Sequence, residues 1–119
     1  MKIQIIDDEP IHNFITTRLL RQIAPQLELL EFIDPAEAFA NLKTVRPDLI
    51  LLDLNMPKLN GWEFLDKMGD EGLTNEVVIL TSSVSHYDHT KAREYKNVLE
   101  CVEKPIKKEK LQAIINHLQ

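Results

Sequence analysis

Five apolar runs of strand length recur along the chain, separated by longer segments in which apolar and polar residues mix. The runs are Ile3–Ile6, Leu27–Ile33, Asp48–Asp53, Val77–Leu80 and Val98–Val102. Runs this short, bounded by turn residues, fit strands better than helices. The middle runs are apolar almost throughout, which is typical of strands buried on both faces of a parallel sheet.

The segments between these runs carry residues at the three- and four-residue spacing of amphipathic helices. In the first helix, which stops at Pro25, the positions at this spacing are Ile11, Phe14, Ile15, Arg18, Leu19 and Ile23. The second helix begins at Asp34–Pro35, since Asp caps helices well and Pro fits the first helical position. Its expected inner face, before Arg46–Pro47, is Ala36, Ala38, Phe39 and Leu42.

Three further helices follow the third, fourth and fifth runs. The third spans Gly61 to about Gly69, and its apolar residues are Trp62, Phe64, Leu65 and Met68. The fourth run ends at Thr81–Ser83, and Ser85 with Asp88 resembles a capping box that opens a helix to about Tyr95. The last helix has its solvated start in the Lys-rich tract 107–110 and uses Ile106, Leu111, Ile114, Ile115 and Leu118.

Five strands that alternate with five helices predict an α/β fold. Strands in this order form a parallel sheet through right-handed crossovers, and the helices cover both of its faces. The 119 residues suffice for one hydrophobic core. The sequence therefore predicts a single domain over residues 1–119, built as a doubly wound parallel sheet.

Composition narrows the classes of function. The net charge of −5 argues against direct binding to nucleic acid, which usually needs a basic surface. No apolar run approaches the roughly 20 residues that span a bilayer, so membrane insertion is not expected. The first strand is interrupted by Asp7–Glu9, unlike a secretory signal. Cys101 is the only cysteine, which excludes an internal disulfide and fits a cytoplasmic location.

Polar residues that carry chemistry follow four of the five predicted strands. They are Asp7–Asp8, Asp53, Thr81–Ser82 and Lys104–Pro105. A parallel sheet brings the carboxyl ends of its strands to one edge, where ligands bind. Each residue alone has a structural explanation, as a helix cap, a turn residue, a loop residue or a solvated lysine. Their coincidence at successive strand ends favours one shared site instead.

Three carboxylates, a hydroxyl and an ammonium in one crevice suggest phosphoryl chemistry. Carboxylates held close together repel one another, and a divalent cation relieves that repulsion. Mg²⁺ prefers oxygen ligands and commonly takes one or two carboxylates plus a phosphate. An ionised Asp can act as a nucleophile and form an acyl phosphate. Lys104 and the Thr81 hydroxyl would neutralise and hydrogen-bond the phosphoryl oxygens.

These motifs resemble the receiver domains of bacterial response regulators, including those of the chemotaxis-regulator type. The matching residues are Asp7–Asp8, Asp53 in Asp-Leu-Asn-Met-Pro, Gly61, Thr81–Ser82 and Lys104–Pro105. The resemblance covers the whole chain and implies a flavodoxin-like (βα)5 sheet with strand order 2-1-3-4-5. It also implies a cis bond before Pro105.

The resemblance assigns a role to each site residue. Asp53 would accept a phosphoryl group from a phosphohistidine on a sensor histidine kinase or a histidine phosphotransfer protein. Asp8, Asp53 and the backbone carbonyl of Asn55 would ligate Mg²⁺, with Asp7 acting directly or through water. Thr81 and Lys104 would contact the phosphoryl group. Such a domain catalyses only its own phosphorylation and dephosphorylation and is not a multiple-turnover enzyme; its state would switch the binding of an unidentified downstream protein.

One departure concerns how the signal is read out. Receivers usually carry Tyr or Phe three residues before the lysine and a small residue just before it, whereas this chain has Cys101 and Glu100. Cys101 is expected to be a small buried hydrophobe rather than a redox centre. Tyr95, near the end of the fourth helix, is a candidate to replace the missing aromatic residue. Phosphorylation is expected to change the surface of the fourth helix, fifth strand and fifth helix.

Three other functions were compatible with parts of the sequence. A phosphatase with an Asp nucleophile would place a second acid two residues later, where this chain has Asn55. A flavin-binding module would need a Ser/Thr/Gly-rich loop after the first strand, where Asp7–Pro10 is acidic. A receiver-like module that only binds partners remains open because of Cys101.

The four histidines are expected at the surface. His86 and His89 lie three residues apart on a predicted helix, but no third ligand in the sequence pattern accompanies them, so a zinc site is not expected. His117 lies in the last predicted helix. His12 is close in sequence to the acidic residues. The alternative to a plain surface position is that His12 modulates access to those residues.

Overall fold

A computed structural model describes residues 1–82 and 85–119. Strands and helices alternate along the chain in the order β1 (Lys2–Ile6), α1 (Pro10–Ile23), β2 (Glu28–Phe32), α2 (Pro35–Val45), β3 (Leu49–Asp53), α3 (Gly61–Asp70), β4 (Glu76–Thr81), α4 (His86–Ala92), β5 (Val98–Glu103) and α5 (Lys108–Leu118). Ser83, the last of the residues predicted to end the fourth strand, falls outside the described residues.

The five strands form one sheet in the order β2-β1-β3-β4-β5, and all neighbouring strands are parallel. The flavodoxin-like (βα)5 fold with strand order 2-1-3-4-5 is therefore confirmed. β3 lies at the centre of the sheet, where all five of its residues are buried. Its last residue, Asp53, is in register with Leu80 of β4.

Two hydrophobic clusters pack against the two faces of the sheet. Because side chains alternate along a strand, Leu49 and Leu51 point to one cluster while Ile50 and Leu52 point to the other. The first cluster includes Leu20 of α1 and several residues of α5. The second includes residues of α2 and α3. Both faces of β3 therefore need apolar residues, which explains its uninterrupted run.

Side-chain caps begin three of the helices. Asp34 Oδ1 accepts a hydrogen bond from the Ala36 N–H at 3.0 Å, and Pro35 is the first helical residue, as predicted. Ser85 Oγ accepts from the Tyr87 N–H at 3.2 Å. Asn60 Oδ1 accepts from the Glu63 N–H, while Glu63 returns a bond to the Asn60 N–H. This capping box fixes the start of α3 just beyond Asp53.

The inward face of α1 differs from the predicted one. Ile11, Phe14 and Ile15 are 58%, 56% and 47% exposed, whereas Asn13 and Thr16 are buried. Asn13 Nδ2 donates to the carbonyls of Asp7 and Phe32, so the first turns of the helix direct a polar side at the strand ends. Apolar spacing identified the helix correctly but not the face that it buries.

Two smaller predictions are also corrected. Ala36 of α2 is exposed rather than inward-facing, and Pro35, Ala38 and Leu42 form the buried face. α4 ends at Ala92 rather than near Tyr95. Beyond Ala92 the backbone bonds span three residues instead of four, as in the Tyr95 N–H to Ala92 carbonyl bond, and the helix gives way to turns. Among the described residues, no helix is long and apolar enough to cross a membrane.

Candidate functional site

Three carboxylates meet at the carboxyl edge of the sheet. Asp7 and Asp8 follow β1, and Asp53 ends β3, the neighbouring strand. Each offers an oxygen that lies within 4.8 Å of the others. Asp7 and Asp53 are almost fully buried, with exposures of 4% and 3%. The parallel sheet thus gathers the predicted acidic residues into one site.

Lys104 reaches this site from the segment after β5. Its Nζ lies 2.9 Å from Asp7 Oδ2 and 3.0 Å from Asp53 Oδ1. Its backbone N–H donates to the Thr81 carbonyl at 2.7 Å, which holds the segment beside the end of β4. The peptide bond between Lys104 and Pro105 is cis, as predicted. Lys104 is therefore part of the site and not a solvated lysine.

The electrostatics of the site couple these charges. Burial raises the pKa of the Asp53 carboxyl, and the Asp7 charge raises it further, while Lys104 and the Asn55 N–H partly lower it. Burial alone would lower the pKa of Lys104, but its hydrogen bonds to Asp7 and Asp53 and their charges raise it overall. The ammonium is thus held in its charged form. A second cation among the carboxylates would further favour the ionised form of Asp53.

The loop after Asp53 is fixed by backbone contacts. The Asn55 N–H lies 3.3 Å from Asp53 Oδ1, and the Leu54 N–H donates to the Leu80 carbonyl at 3.1 Å. The Gly61 N–H closes the loop on the Leu54 carbonyl at 2.9 Å. Asn55 is exposed beside the carboxylates. The loop between Asp53 and Gly61 is therefore held closed next to the carboxylate of Asp53.

Thr81 lies at the end of β4, one residue beyond the register partner of Asp53. It is fully buried, and its carbonyl is the group that accepts from Lys104. Ser82, the next residue, is exposed. The predicted members of the site after β1, β3, β4 and β5 thus share one edge of the sheet.

His12 also contacts this site, which the sequence analysis gave only as an alternative to a surface position. Its Nδ1 lies 3.2 Å from Asp7 Oδ2 and 3.3 Å from Lys104 Nζ. The available signal was its closeness in sequence to Asp7 and Asp8. The side chain is 37% exposed, so His12 lies at the mouth of the site rather than on a free surface.

A cleft of about 300 Å³ opens beside the ammonium group, between α1 and the segment after β5. Its lining is mostly apolar and comprises Asp7, His12, Ile15, Thr16, Leu80, Ser82, Lys104, Pro105 and Ile106. Within the described ranges, Asp7, Asp8 and Asp53 are the only group of three or more potential metal ligands. His86 and His89 therefore have no such group around them in this part of the chain.

Glu100 and Cys101, which depart from the receiver pattern, lie in β5, and Tyr95 lies between α4 and β5. Cys101 is only half-buried and lies in register with Ile79 of β4. Glu100 pairs with Lys110 of α5 at 2.6 Å. Tyr95 stacks on Trp62 of α3 and donates its hydroxyl hydrogen to Asp66 at 2.8 Å. Tyr95 is thus anchored to α3, and its role as a substitute for the aromatic residue stays a prediction.

Cys101 is expected to be unreactive at neutral pH. Burial raises the pKa of its thiol to about 11, and the charges of Asp88, Glu100 and Glu103 add to the effect. At about pH 8 the thiolate fraction should be roughly a hundredfold lower than for a thiol of pKa 9.0. Alkylation by iodoacetamide should be correspondingly slow in the folded protein, accelerate as pH approaches 11, and be fast in urea. Equal rates for folded and unfolded protein at about pH 8 would contradict this.

Comparisons with known proteins agree with this geometry. A family model for the response regulator receiver domain matches residues 3–116. The cyclic di-GMP phosphodiesterase response regulator RpfG of Xanthomonas campestris pv. campestris is 29% identical over 119 residues, which cover 99% of this chain and 32% of that protein. An uncharacterized response regulatory protein of Staphylococcus epidermidis is 31% identical and is matched over 98% of this chain and 46% of its own length. The chain spans less than half the length of these curated relatives.

Solved structures show the same fold. A two-component response regulator from Cytophaga hutchinsonii superposes with a TM-score of 0.88 at 28% identity, covering 98% of this chain and 95% of that one. A receiver domain of a DNA-binding response regulator from Colwellia psychrerythraea has a TM-score of 0.90 at 22% identity, covering 99% and 97%. With its family model, its fold and its strand-end residues in agreement, the chain belongs to the family of response regulator receiver domains of two-component signalling.

Proposed function

We propose that the chain is a phosphorylatable receiver whose acceptor is Asp53. The observation that carries the proposal is the arrangement around this carboxylate, with two further carboxylates and the Lys104 ammonium in contact range. An oxygen of Asp53 attacks the phosphorus of a phosphohistidine on a sensor histidine kinase or a histidine phosphotransfer protein. The P–N bond breaks, and its electron pair returns to the donor imidazole, which takes up a proton. The product is an acyl phosphate on Asp53.

The carboxylates fit a magnesium ion. Asp8, Asp53 and the backbone carbonyl of Asn55 would hold it, with Asp7 acting directly or through water. Carboxylate oxygens within 4.8 Å of one another are the kind of donor that Mg²⁺ prefers. When bound, the ion neutralises negative charge on the phosphoryl oxygens. The raised pKa of Asp53 supports this fit, because a nearby cation would favour the ionised nucleophile.

Lys104 and Thr81 would bind the phosphoryl group once it is on Asp53. The Lys104 ammonium lies 3.0 Å from Asp53 Oδ1, so an oxygen of a phosphoryl group there comes within its reach. The Thr81 hydroxyl, at the end of the adjacent strand, would donate to another oxygen. Both contacts stabilise charge in the transition state as well as in the product.

The proposed domain acts on itself and on no other substrate. Water attacks the acyl phosphate, inorganic phosphate leaves, and the Asp53 carboxylate is restored. We propose a cytoplasmic location, which the single cysteine fits, and no membrane insertion. Direct nucleic-acid binding is not proposed, since the net charge is −5. The partner that reads the phosphorylated state is a further protein.

Phosphorylation is proposed to act as a population shift between two arrangements of the surface formed by α4, β5 and α5. Thr81 and Lys104 flank this surface and would make different contacts in the two states. Beryllofluoride, a phosphoryl mimic, should therefore change amide hydrogen exchange in α4 and β5. The Asp53→Asn variant should show no change. Identical exchange in this surface with and without beryllofluoride would refute this route of signalling.

The function itself is tested by labelling with acetyl phosphate. Intact-mass spectrometry should show one phosphoryl group per chain in the presence of Mg²⁺, and chelation by EDTA should lower the rate by about a hundredfold or more, since several kcal/mol of charge neutralisation are lost. Restoring Mg²⁺ in excess should restore the rate. Labelling at an equal rate without a divalent cation would contradict the proposed role of the carboxylates.

A further inference from the structure

The imidazole of His12 makes two contacts through the same nitrogen. Nδ1 lies 3.3 Å from Lys104 Nζ and 3.2 Å from Asp7 Oδ2, while Lys104 Nζ itself donates to Asp7 Oδ2 at 2.9 Å. A neutral Nδ1 either carries a hydrogen and donates to Asp7 or carries a lone pair and accepts from Lys104. The two arrangements exclude each other, so the proton position decides the role of His12.

Two features favour the arrangement in which Lys104 donates to Nδ1. An ammonium group has three N–H donors, and Asp7, Asp53 and His12 are three acceptors around it at 2.9, 3.0 and 3.3 Å. On the other side of the ring, Nε2 lies 3.7 Å from Glu9 Oε2. That negative charge favours the ring hydrogen on Nε2, whereas the Asp7 charge 3.2 Å from Nδ1 favours it there. Because Asp7 Oδ2 already accepts a shorter hydrogen bond from Lys104 at 2.9 Å, the structure assigns the lone pair to Nδ1, facing the ammonium.

We propose that His12 is a positioning residue for Lys104. Its Nδ1 accepts the third N–H of the ammonium and fixes the group between Asp7 and Asp53 before a phosphoryl group arrives. The inference rests on the proposed function, because the position of Lys104 matters to the reaction only if Asp53 is the acceptor. His12 does not touch the reacting atoms and acts through Lys104.

The location of His12 explains why such a support is needed. Lys104 borders the cleft of about 300 Å³, which Asp7 and His12 also line. Its side chain is only 16% exposed, and its main chain is held by the backbone bond to Thr81, so the ammonium is the part left to be positioned. Without His12, the third N–H would be left to solvent in this cleft. A preorganised donor stabilises a transition state better than one that must be reoriented.

The arrangement predicts a spectroscopic signature in the unphosphorylated protein. Nitrogen-15 NMR of the ring at about pH 8 should show His12 with its hydrogen on Nε2 and a lone pair on Nδ1. The Lys104 ammonium resonance should be protected from solvent exchange, and the His12→Leu variant should lose that protection. A neutral ring with its hydrogen on Nδ1 would overturn the proposal, because Nδ1 would then donate to Asp7.

Three substitutions separate the contact of Nδ1 from the mere presence of the ring. In His12→Asn the amide oxygen lies near the place of Nδ1 and can accept from Lys104. In His12→Gln the amide lies near the place of Nε2 instead. His12→Leu has no acceptor. We expect the labelling rate at saturating acetyl phosphate and Mg²⁺ to fall about tenfold in His12→Leu and His12→Gln. His12→Asn should remain within about threefold of the parent.

The outcomes distinguish failure of this inference from failure of the proposed function. Urea unfolding midpoints for all three variants control for loss of fold. A labelling rate of His12→Leu equal to that of the parent would overturn the role of Nδ1. So would a labelling rate near that of the parent in His12→Gln but not in His12→Asn. If the parent chain takes no label at all, the proposed function fails, and the nitrogen-15 experiment still decides whether His12 accepts from Lys104.

Discussion

Asp53→Asn is expected to abolish labelling by acetyl phosphate in the presence of Mg²⁺. The substitution keeps the size of the side chain but replaces the nucleophilic carboxylate oxygen with an amide that forms no acyl phosphate. It also removes one of the charges that would hold the cation, and with it the negative charge that pairs with Lys104 at 3.0 Å. Intact-mass spectrometry should find label at background only.

The matched control for this variant is Asp70→Asn. Asp70 is an exposed carboxylate in the last turn of α3, away from the strand ends. Its labelling should equal that of the parent. Circular dichroism should show that the Asp53→Asn fold is intact, so that loss of label reports chemistry. Undiminished label in Asp53→Asn would require another acceptor and would end the assignment.

Gly61→Ala is expected to lower the free energy of unfolding by about 1–3 kcal/mol. A Cβ at this position would lie 2.8 Å from Leu54 Cδ2, 3.0 Å from Leu54 Cα and 3.1 Å from the Asp53 carbonyl. Two of these atoms belong to the backbone and cannot rotate away. The loop after Asp53 would have to shift, so the rate of labelling by acetyl phosphate should fall as well.

The chain offers a matched control on the same helix. Gly69 of α3 has open space around its Cβ position, with no heavy atom within 4 Å. Gly69→Ala should raise the stability by about 0.5–1 kcal/mol, because Ala loses less backbone entropy in a helix. Urea unfolding of the parent and both variants gives the two differences. A Gly61→Ala midpoint at or above that of the parent would show that the loop yields without cost.

The central part of the fold could be predicted because its pattern has a single solution. In Leu49–Leu52 every residue is apolar, so the side chains on both faces of this strand need apolar neighbours. This indicates a sheet with helices on both faces. Once that sheet is parallel, its topology alone brings Asp7, Asp53 and Lys104 to one edge. The site was thus predictable from strand ends, before any distance was known.

The predictions that were wrong concern which side chains of an element face its neighbours. That depends on how the elements are placed in the folded chain. Helical spacing marked Ile11, Phe14 and Ile15 but could not show that the first turns of α1 bury Asn13 instead. That choice comes from two carbonyls at the strand ends, which the sequence does not position. The contact of His12 with Lys104 is of the same kind, since the two residues are 92 positions apart.

The contacts around the surface formed by α4, β5 and α5 are a third feature that the sequence did not predict. The resemblance to receivers implied that Cys101 stands where an aromatic residue is usual, and the sequence offered Tyr95 as a substitute. Contacts add that Tyr95 stacks on Trp62 with ring centroids 5.8 Å apart and is bonded to Asp66, so α3 and the turn after α4 are linked. A change in α4 in response to phosphorylation would therefore be transmitted to α3 unless these contacts break.

The position of the label is the most direct test of the proposed chemistry. The parent protein is labelled with acetyl phosphate in Mg²⁺, reduced with borohydride to convert an acyl phosphate into a stable alcohol, digested, and sequenced by mass spectrometry. We predict that the modified residue is Asp53, in the peptide that contains Asn55 and Met56. Reduction at Asp7 or Asp8 with an unmodified Asp53 would contradict it.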